Sequence, residues 1–204
     1  MKIMKSLKYD ISAFIASVLI FCCICGASAT DVMASTWASD SNNAGYWASA
    51  PSIYLTNLSS SNYAAMTYLS ASVTKWKNAG INCSVGTSPL TAGIKFFAGS
   101  TAGLNSTGYF NYTSGVLGQT CIASSTLASL GTIRNIYEFT EVYSSVSNSA
   151  TYKEHTMLHE LGHALGWMGH YSVASRVMYA NENACVTIST TEKNHLLDIY
   201  NTYQ

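Results

Sequence analysis

The chain has 204 residues, a length that suits one domain, and its 10 basic and 10 acidic side chains give no net formal charge. Charged residues make up only 10% of the sequence, and they form no basic cluster after residue 29. This balance argues against a nucleic-acid partner, which would need a positively charged surface.

Residues 1–29 have the organisation of a secretory signal. A basic segment, Lys2 to Lys8, precedes an apolar run of about 14 residues from Ile11 to Ile24, and a small-residue cleavage motif ends at Ala29. The apolar run is shorter than the roughly 20 residues that a spanning helix needs. We therefore expect a secreted, extracellular protein that is cut after Ala29 and keeps no stable membrane association.

Residues 30–51 are polar and poorly patterned. They predict either a short pro-segment or the lead-in to the folded domain, which we place at residues 52–204. The cysteines that remain after cleavage are Cys83, Cys121 and Cys185. Export permits a disulfide, but with an odd number at least one thiol is left over or pairs between chains, and the sequence does not assign the pair.

Within residues 52–204 the pattern predicts a helix, then strands, then two further helices. Apolar residues recur at three- and four-residue spacings over Ser61 to Ala79, which is typical of an amphipathic helix. Capping boxes that begin at Thr151 and Ser189 predict the starts of the two later helices. The predicted strands lie at 81–85, 93–98, 120–123 and, as one long alternating segment, 132–143.

The segment from His159 to His170 carries the strongest functional signal, an H-E-x-x-H pattern followed by a glycine and a third histidine. His159 and His163 are one helical turn apart and face the same point, where both imidazoles can bind one Zn²⁺. Glu160 is rotated by roughly 100° from that face and lies where a general base belongs. Gly166 can end the helix in a left-handed turn that brings His170 back as the third ligand.

This pattern resembles the metzincin metallopeptidases, and among them the matrixins, whose motif is H-E-x-x-H-x-x-G-x-x-H followed by a Met-turn. Val177-Met178-Tyr179 supplies a Met-turn, with Met178 eight residues after His170. Two features depart from the family pattern. Three residues rather than two separate Gly166 from His170, and no proline follows Met178-Tyr179.

The resemblance implies an α+β fold, a metzincin-like catalytic domain in which a twisted mixed sheet accompanies an active-site helix, a Met-turn and a C-terminal helix. It implies a zinc-dependent endopeptidase with Glu160 as general base and Met178 as an apolar floor. The implied ligands of the catalytic zinc are His159, His163 and His170. We expect a monomer that acts on a protein or peptide substrate. Structural calcium is left open, because the aspartate-rich loops that bind it in many matrixins are not evident.

Other third ligands and one other class of function stay open. His155 shares the helix face but lies about 6 Å further back along the axis, which favours a helix-surface or supporting role. Glu182 would replace His170 in a gluzincin-like peptidase, and Glu192 lies further downstream. The alternative in another class is a non-catalytic extracellular binding domain on the same scaffold, although the intact Glu160 argues against it.

Overall fold

The computed structural model describes residues 46–47, 49–58, 64–107, 117–122, 132–133, 138–142, 150–167, 169–181 and 183–203. The chain separates into two compact units, Met1–Met33 and Ala34–Gln204, and every described residue belongs to the second. The predicted signal peptide, most of segment 30–51 and Glu182 therefore lie outside the described residues. Within the described ranges, no helix is long and apolar enough to cross a membrane.

A five-stranded sheet, a separate pair of short strands and four helices make up the described fold. The strands are β1 (Tyr46–Trp47), β2 (Ser52–Asn57), β3 (Ser84–Val85), β4 (Ile94–Ala98), β5 (Gly118–Ile122), β6 (Thr132–Ile133) and β7 (Glu138–Val142). The helices are α1 (Ala65–Asn78), α2 (Thr101–Asn105), α3 (Ala150–Ala164) and α4 (Thr190–Tyr203). The sheet order is β3-β2-β4-β7-β5, in which β5 runs antiparallel to β7 and the other pairs are parallel. Strand β1 pairs in parallel with β6.

The mixed α+β class predicted from the sequence is confirmed, whereas the metzincin-like details of the sheet stay predictions. The alternating segment 132–143 contains two strands, β6 and β7, that pair in different sheets. A period of two shows that a segment can bury one face, but it does not say which neighbour the strand will pair with. Helix α3 begins at Ala150, so Thr151 lies inside its first turn and does not cap it.

The helix that carries the histidine motif is buried in the core. Every residue of α3 from His155 to Gly162 is buried. Helix α1 packs against it with an apolar stripe that includes Leu69, Val73 and Trp76, at the spacing of one helical face. The Trp76 indole N–H donates a hydrogen bond of 3.0 Å to the Leu158 carbonyl of α3. This bond also fixes the position of α1 along the axis of α3.

The carbonyls at the end of α3 are satisfied by aromatic side chains from opposite ends of the described chain. Trp47 Nε1 of β1 donates to the Ala164 carbonyl at 2.8 Å. The Tyr200 hydroxyl of α4 donates to the Leu165 carbonyl, also at 2.8 Å. Carbonyls in the last turn of a helix have no partner within it, so these bonds stabilise the helix end. Strand β1, which precedes the predicted domain start at residue 52, contributes to the core.

The cysteines show no disulfide within the described residues. Cys83 is buried and Cys185 is half-buried, and both are free thiols. The side chain of Cys121 lies outside the described residues. Burial raises the pKa of the Cys83 thiol to about 11, against a smaller opposing effect of Lys77. Cys83 therefore behaves as a small core residue rather than a reactive thiol.

Candidate metal centre

The chain reverses direction directly after α3. Gly166 and Gly169 both adopt positive φ angles, 118° and 86°, which glycine tolerates and other residues rarely do. The N–H groups of Gly166 and Trp167 bond to carbonyls one turn back, at 2.9 and 3.0 Å, as in a Schellman motif. Gly169 supplies a second left-handed turn within the three residues that separate Gly166 from His170.

Three histidines converge as a result. His159, His163 and His170 each offer a ring nitrogen, and these ligand atoms all lie within 4.8 Å of one another. The ring centroids are 4.7 to 5.3 Å apart, with two pairs close to perpendicular and one stacked. They are the one group of three or more potential metal ligands found among the described residues.

Backbone carbonyls fix the orientation of the two helical imidazoles. His159 Nδ1 lies 2.7 Å from the Val177 carbonyl oxygen, and His163 Nδ1 lies 2.8 Å from that of Trp167. A carbonyl only accepts, so both Nδ1 atoms carry the hydrogen and both Nε2 atoms present lone pairs. The two Nε2 atoms are 3.0 Å apart. Two ligands of a tetrahedral zinc at about 2.0–2.1 Å from the metal stand roughly 3.3 Å from each other.

The environment keeps these imidazoles neutral. Burial lowers the pKa of His159 well below its ordinary value, and the neighbouring His163 adds to this effect. Burial also lowers the pKa of His163 to about 4, and the neighbouring His170 contributes to this shift. Burial lowers the pKa of His170 as well. The hydrogen bonds to the Val177 and Trp167 carbonyls raise the pKa of His159 and His163, but by less than burial lowers it. Neutral imidazole is the form that binds a metal ion, so the rings are ready to bind one at neutral pH.

Glu160 is buried beside the histidines, with only 5% of its surface exposed. Thr120 Oγ1 on β5 donates a hydrogen bond of 2.7 Å to Glu160 Oε2. Burial raises the pKa of the Glu160 carboxyl to about 8, although the Thr120 bond lowers it in part. A carboxyl with a raised pKa next to a group of potential ligands is a common feature of sites that transfer protons.

Met178 is fully buried and packs against α3 at Gly162. Its sulfur lies so close to Gly162 that a Cβ built there would be 2.5 Å from it. The Met178 N–H donates to Glu192 Oε1 at 2.9 Å, and the Met178 carbonyl accepts from Tyr171 N at 2.6 Å. The loop that carries Met178 is thus tied both to the segment after His170 and to α4.

We expect Gly162→Ala to destabilise the protein by about 1–3 kcal/mol, the usual cost of overpacking a core. The added methyl would meet Met178 and also Trp76, whose ring atom Cζ2 would be 2.9 Å away. Trp76 cannot retreat freely because its indole is bonded to Leu158. Urea denaturation of the two forms measures the effect.

Gly103→Ala is the matched control, since this glycine also lies in a helix, α2, and its nearest added contact would be an ordinary 3.4 Å. Glycine in a helix is less stable than alanine by about 0.5–1 kcal/mol, so this change should be neutral or stabilising. Equal stabilities for Gly162→Ala and wild type would contradict the close packing of Met178.

Of the alternative ligands, the structure describes His155 and Glu192, and both are hydrogen-bonded to other residues. Both carboxylate oxygens of Glu192 accept hydrogen bonds, Oε1 from Met178 and Oε2 from the N–H and hydroxyl of Ser189. The predicted capping box at Ser189 is therefore present. His155 is buried rather than on the helix surface, and its Nδ1 lies 2.6 Å from the Cys185 carbonyl. Glu182 lies outside the described residues, so the gluzincin-like alternative stays untested.

Two contacts of this region have no signal in the sequence, the bond from Thr120 to Glu160 and the bond from Met178 to Glu192. Nothing in the pattern around Thr120 marks it as a neighbour of Glu160, which lies 40 residues later. Glu192, weighed above as an alternative ligand, completes the capping box that begins at Ser189, but its bond to Met178 joins residues 14 apart and has no local signal. Both contacts join separate elements, which a motif search along the chain does not detect.

Comparisons with known proteins identify a weak structural likeness and no family. No family model matches the sequence, and no curated protein matches it. Among solved structures, a crystal structure of myroilysin is similar at 13% identity and a TM-score of 0.44, over 82% of this chain and 93% of that one. A likeness of that size says nothing about the function of this chain.

Proposed function

We propose that the protein is a secreted zinc-dependent endopeptidase, with a matrixin-like metzincin site. The proposed ligands are His159, His163 and His170, and Glu160 is the proposed general base. One observation carries the proposal. The Nδ1 atoms of both helical histidines are bonded to backbone carbonyls, and their Nε2 lone pairs face each other at 3.0 Å beside the third ring.

The donor set fits zinc of the catalytic kind. Structural zinc sites are closed by four protein ligands, usually with cysteine thiolates, whereas catalytic sites have three ligands and an open position. Three imidazoles match the second type, and no cysteine belongs to the group found among the described residues. When bound, zinc would polarise a substrate carbonyl and make a water molecule acidic near neutral pH.

Glu160 supplies the proton transfer in this proposal. Its Oε2 is bonded to Thr120, which leaves Oε1 to accept a proton from the attacking water and to return it to the leaving amine. The carboxylate is the required form, and a cation held by the adjacent imidazoles would favour it over the acid. The buried position keeps bulk water away from the transfer.

The test is metal content and proteolysis measured on the same sample. We expect one zinc per chain and cleavage of fluorescently labelled casein, with cleavage lost in a zinc chelator and restored by added zinc. A protein without stoichiometric zinc would overturn the ligand assignment. A protein with zinc that cleaves none of a panel of unfolded proteins would favour the binding-domain alternative.

Secretion, cleavage after Ala29, the monomeric state and the role of residues 30–51 as a short pro-segment or a lead-in stay predictions. Secretion and cleavage follow from the pattern of residues 1–29, which lies outside the described residues.

A further inference from the structure

The Glu160 carboxylate is held from outside its own helix by a hydroxyl group. Thr120 Oγ1 is 2.7 Å from Glu160 Oε2 and 3.1 Å from the Glu160 backbone oxygen. A hydroxyl has one proton to donate. The carboxylate oxygen is both the nearer and the stronger acceptor, so the bond to Oε2 is the main one.

Packing alone does not determine where a buried carboxylate points. The terminal torsion of glutamate is broad, so the carboxylate can rotate with little rotamer penalty. Threonine is β-branched and stiff at χ1, which makes its hydroxyl a fixed reference. Strand β5 is itself held by the antiparallel ladder with β7, where Thr120 pairs with Thr140, and α3 packs against both strands.

We propose that Thr120 is a positioning residue, which holds Oε2 of Glu160 so that Oε1 is directed to the proton it transfers. This inference rests on the proposed peptidase function. A misplacement of about 1 Å in a catalytic group can cost about 10²-fold in rate. Because Thr120 acts through the carboxylate, its loss should lower kcat while substrate binding and zinc content are retained.

The central variant is Thr120→Val, which removes the hydroxyl and keeps the branched shape. We expect kcat for labelled casein to fall by about 10–100-fold, with KM and zinc content within about twofold of wild type. Thr120→Ser keeps the hydroxyl and should retain kcat within about threefold. Thr56→Val is the matched control, because Thr56 is a half-buried threonine on β2 of the same sheet.

A double variant separates positioning from a merely structural role. Glu160→Gln with Thr120→Val should lose no more kcat than Glu160→Gln alone, because an amide cannot accept the proton whichever way the hydroxyl orients it. Additive losses, or equal losses for Thr120→Val and Thr120→Ser, would overturn the inference.

The outcomes also distinguish this inference from the proposed function. A wild-type protein that cleaves casein, together with a Thr120→Val form of unchanged kcat, overturns the positioning role alone. A wild-type protein that binds zinc and cleaves no substrate overturns the peptidase function and the positioning role with it.

Discussion

Replacing Glu160 by glutamine is expected to lower kcat for casein cleavage by about 10²–10⁴-fold, the typical contribution of a general acid–base group. Glutamine has the same shape, and its amide oxygen can still accept the Thr120 hydroxyl. The fold and the histidines should therefore be unaffected, whereas proton acceptance at Oε1 is lost. Zinc per chain and initial rates, measured on the same preparations, separate these two effects.

Glu154→Gln is the matched control for that experiment. Glu154 also lies on α3, where it forms a partly exposed ion pair with Lys75 of α1. Exposed ion pairs contribute little to stability, so this variant should keep both zinc and activity. Near-normal cleavage by Glu160→Gln would remove Glu160 from the mechanism.

His170→Ala is expected to reduce zinc affinity by more than about 100-fold. Loss of a residue that only hydrogen-bonds a metal ligand already costs roughly 10–100-fold, and His170 is proposed as a ligand itself. The reason is that His170 completes the three-nitrogen group, and the two helical histidines alone leave the ion under-coordinated. Competition with a fluorescent zinc chelator measures the affinity directly, and cleavage should fall in parallel.

Glu182→Ala gives the comparison that decides the third ligand. It should retain zinc and activity if His170 is the ligand. The opposite pair of results, with zinc lost in Glu182→Ala and retained in His170→Ala, would establish the gluzincin-like alternative.

The local parts of the site could be predicted from the sequence because helix geometry is local. Residues four apart share a helix face, so the convergence of His159 and His163 needs no knowledge of the rest of the fold. The turn at Gly166 was predictable for a similar reason, since its Schellman bonds reach back only one turn. His170 follows four residues after Gly166, so its return toward the two helical histidines could also be predicted.

The remaining contacts depend on which elements meet, and the sequence does not state that. The period-two pattern at 132–143 gave no sign that it contains two strands with different partners. The bonds from Thr120 to Glu160 and from Met178 to Glu192 join separate elements. The short strand β1 was missed because two residues are too few to show a period.

The bonds to the end of α3 make the metal centre dependent on nearly the whole described length of the chain. Ala164 and Leu165 are held by Trp47 and Tyr200, which lie at opposite ends of that length. During synthesis from the N-terminus, the helix end gains its last partner only when α4 has been made. A chain arrested before Tyr200 would have all three histidines but an incompletely supported helix, so nascent fragments are expected to be poor peptidases.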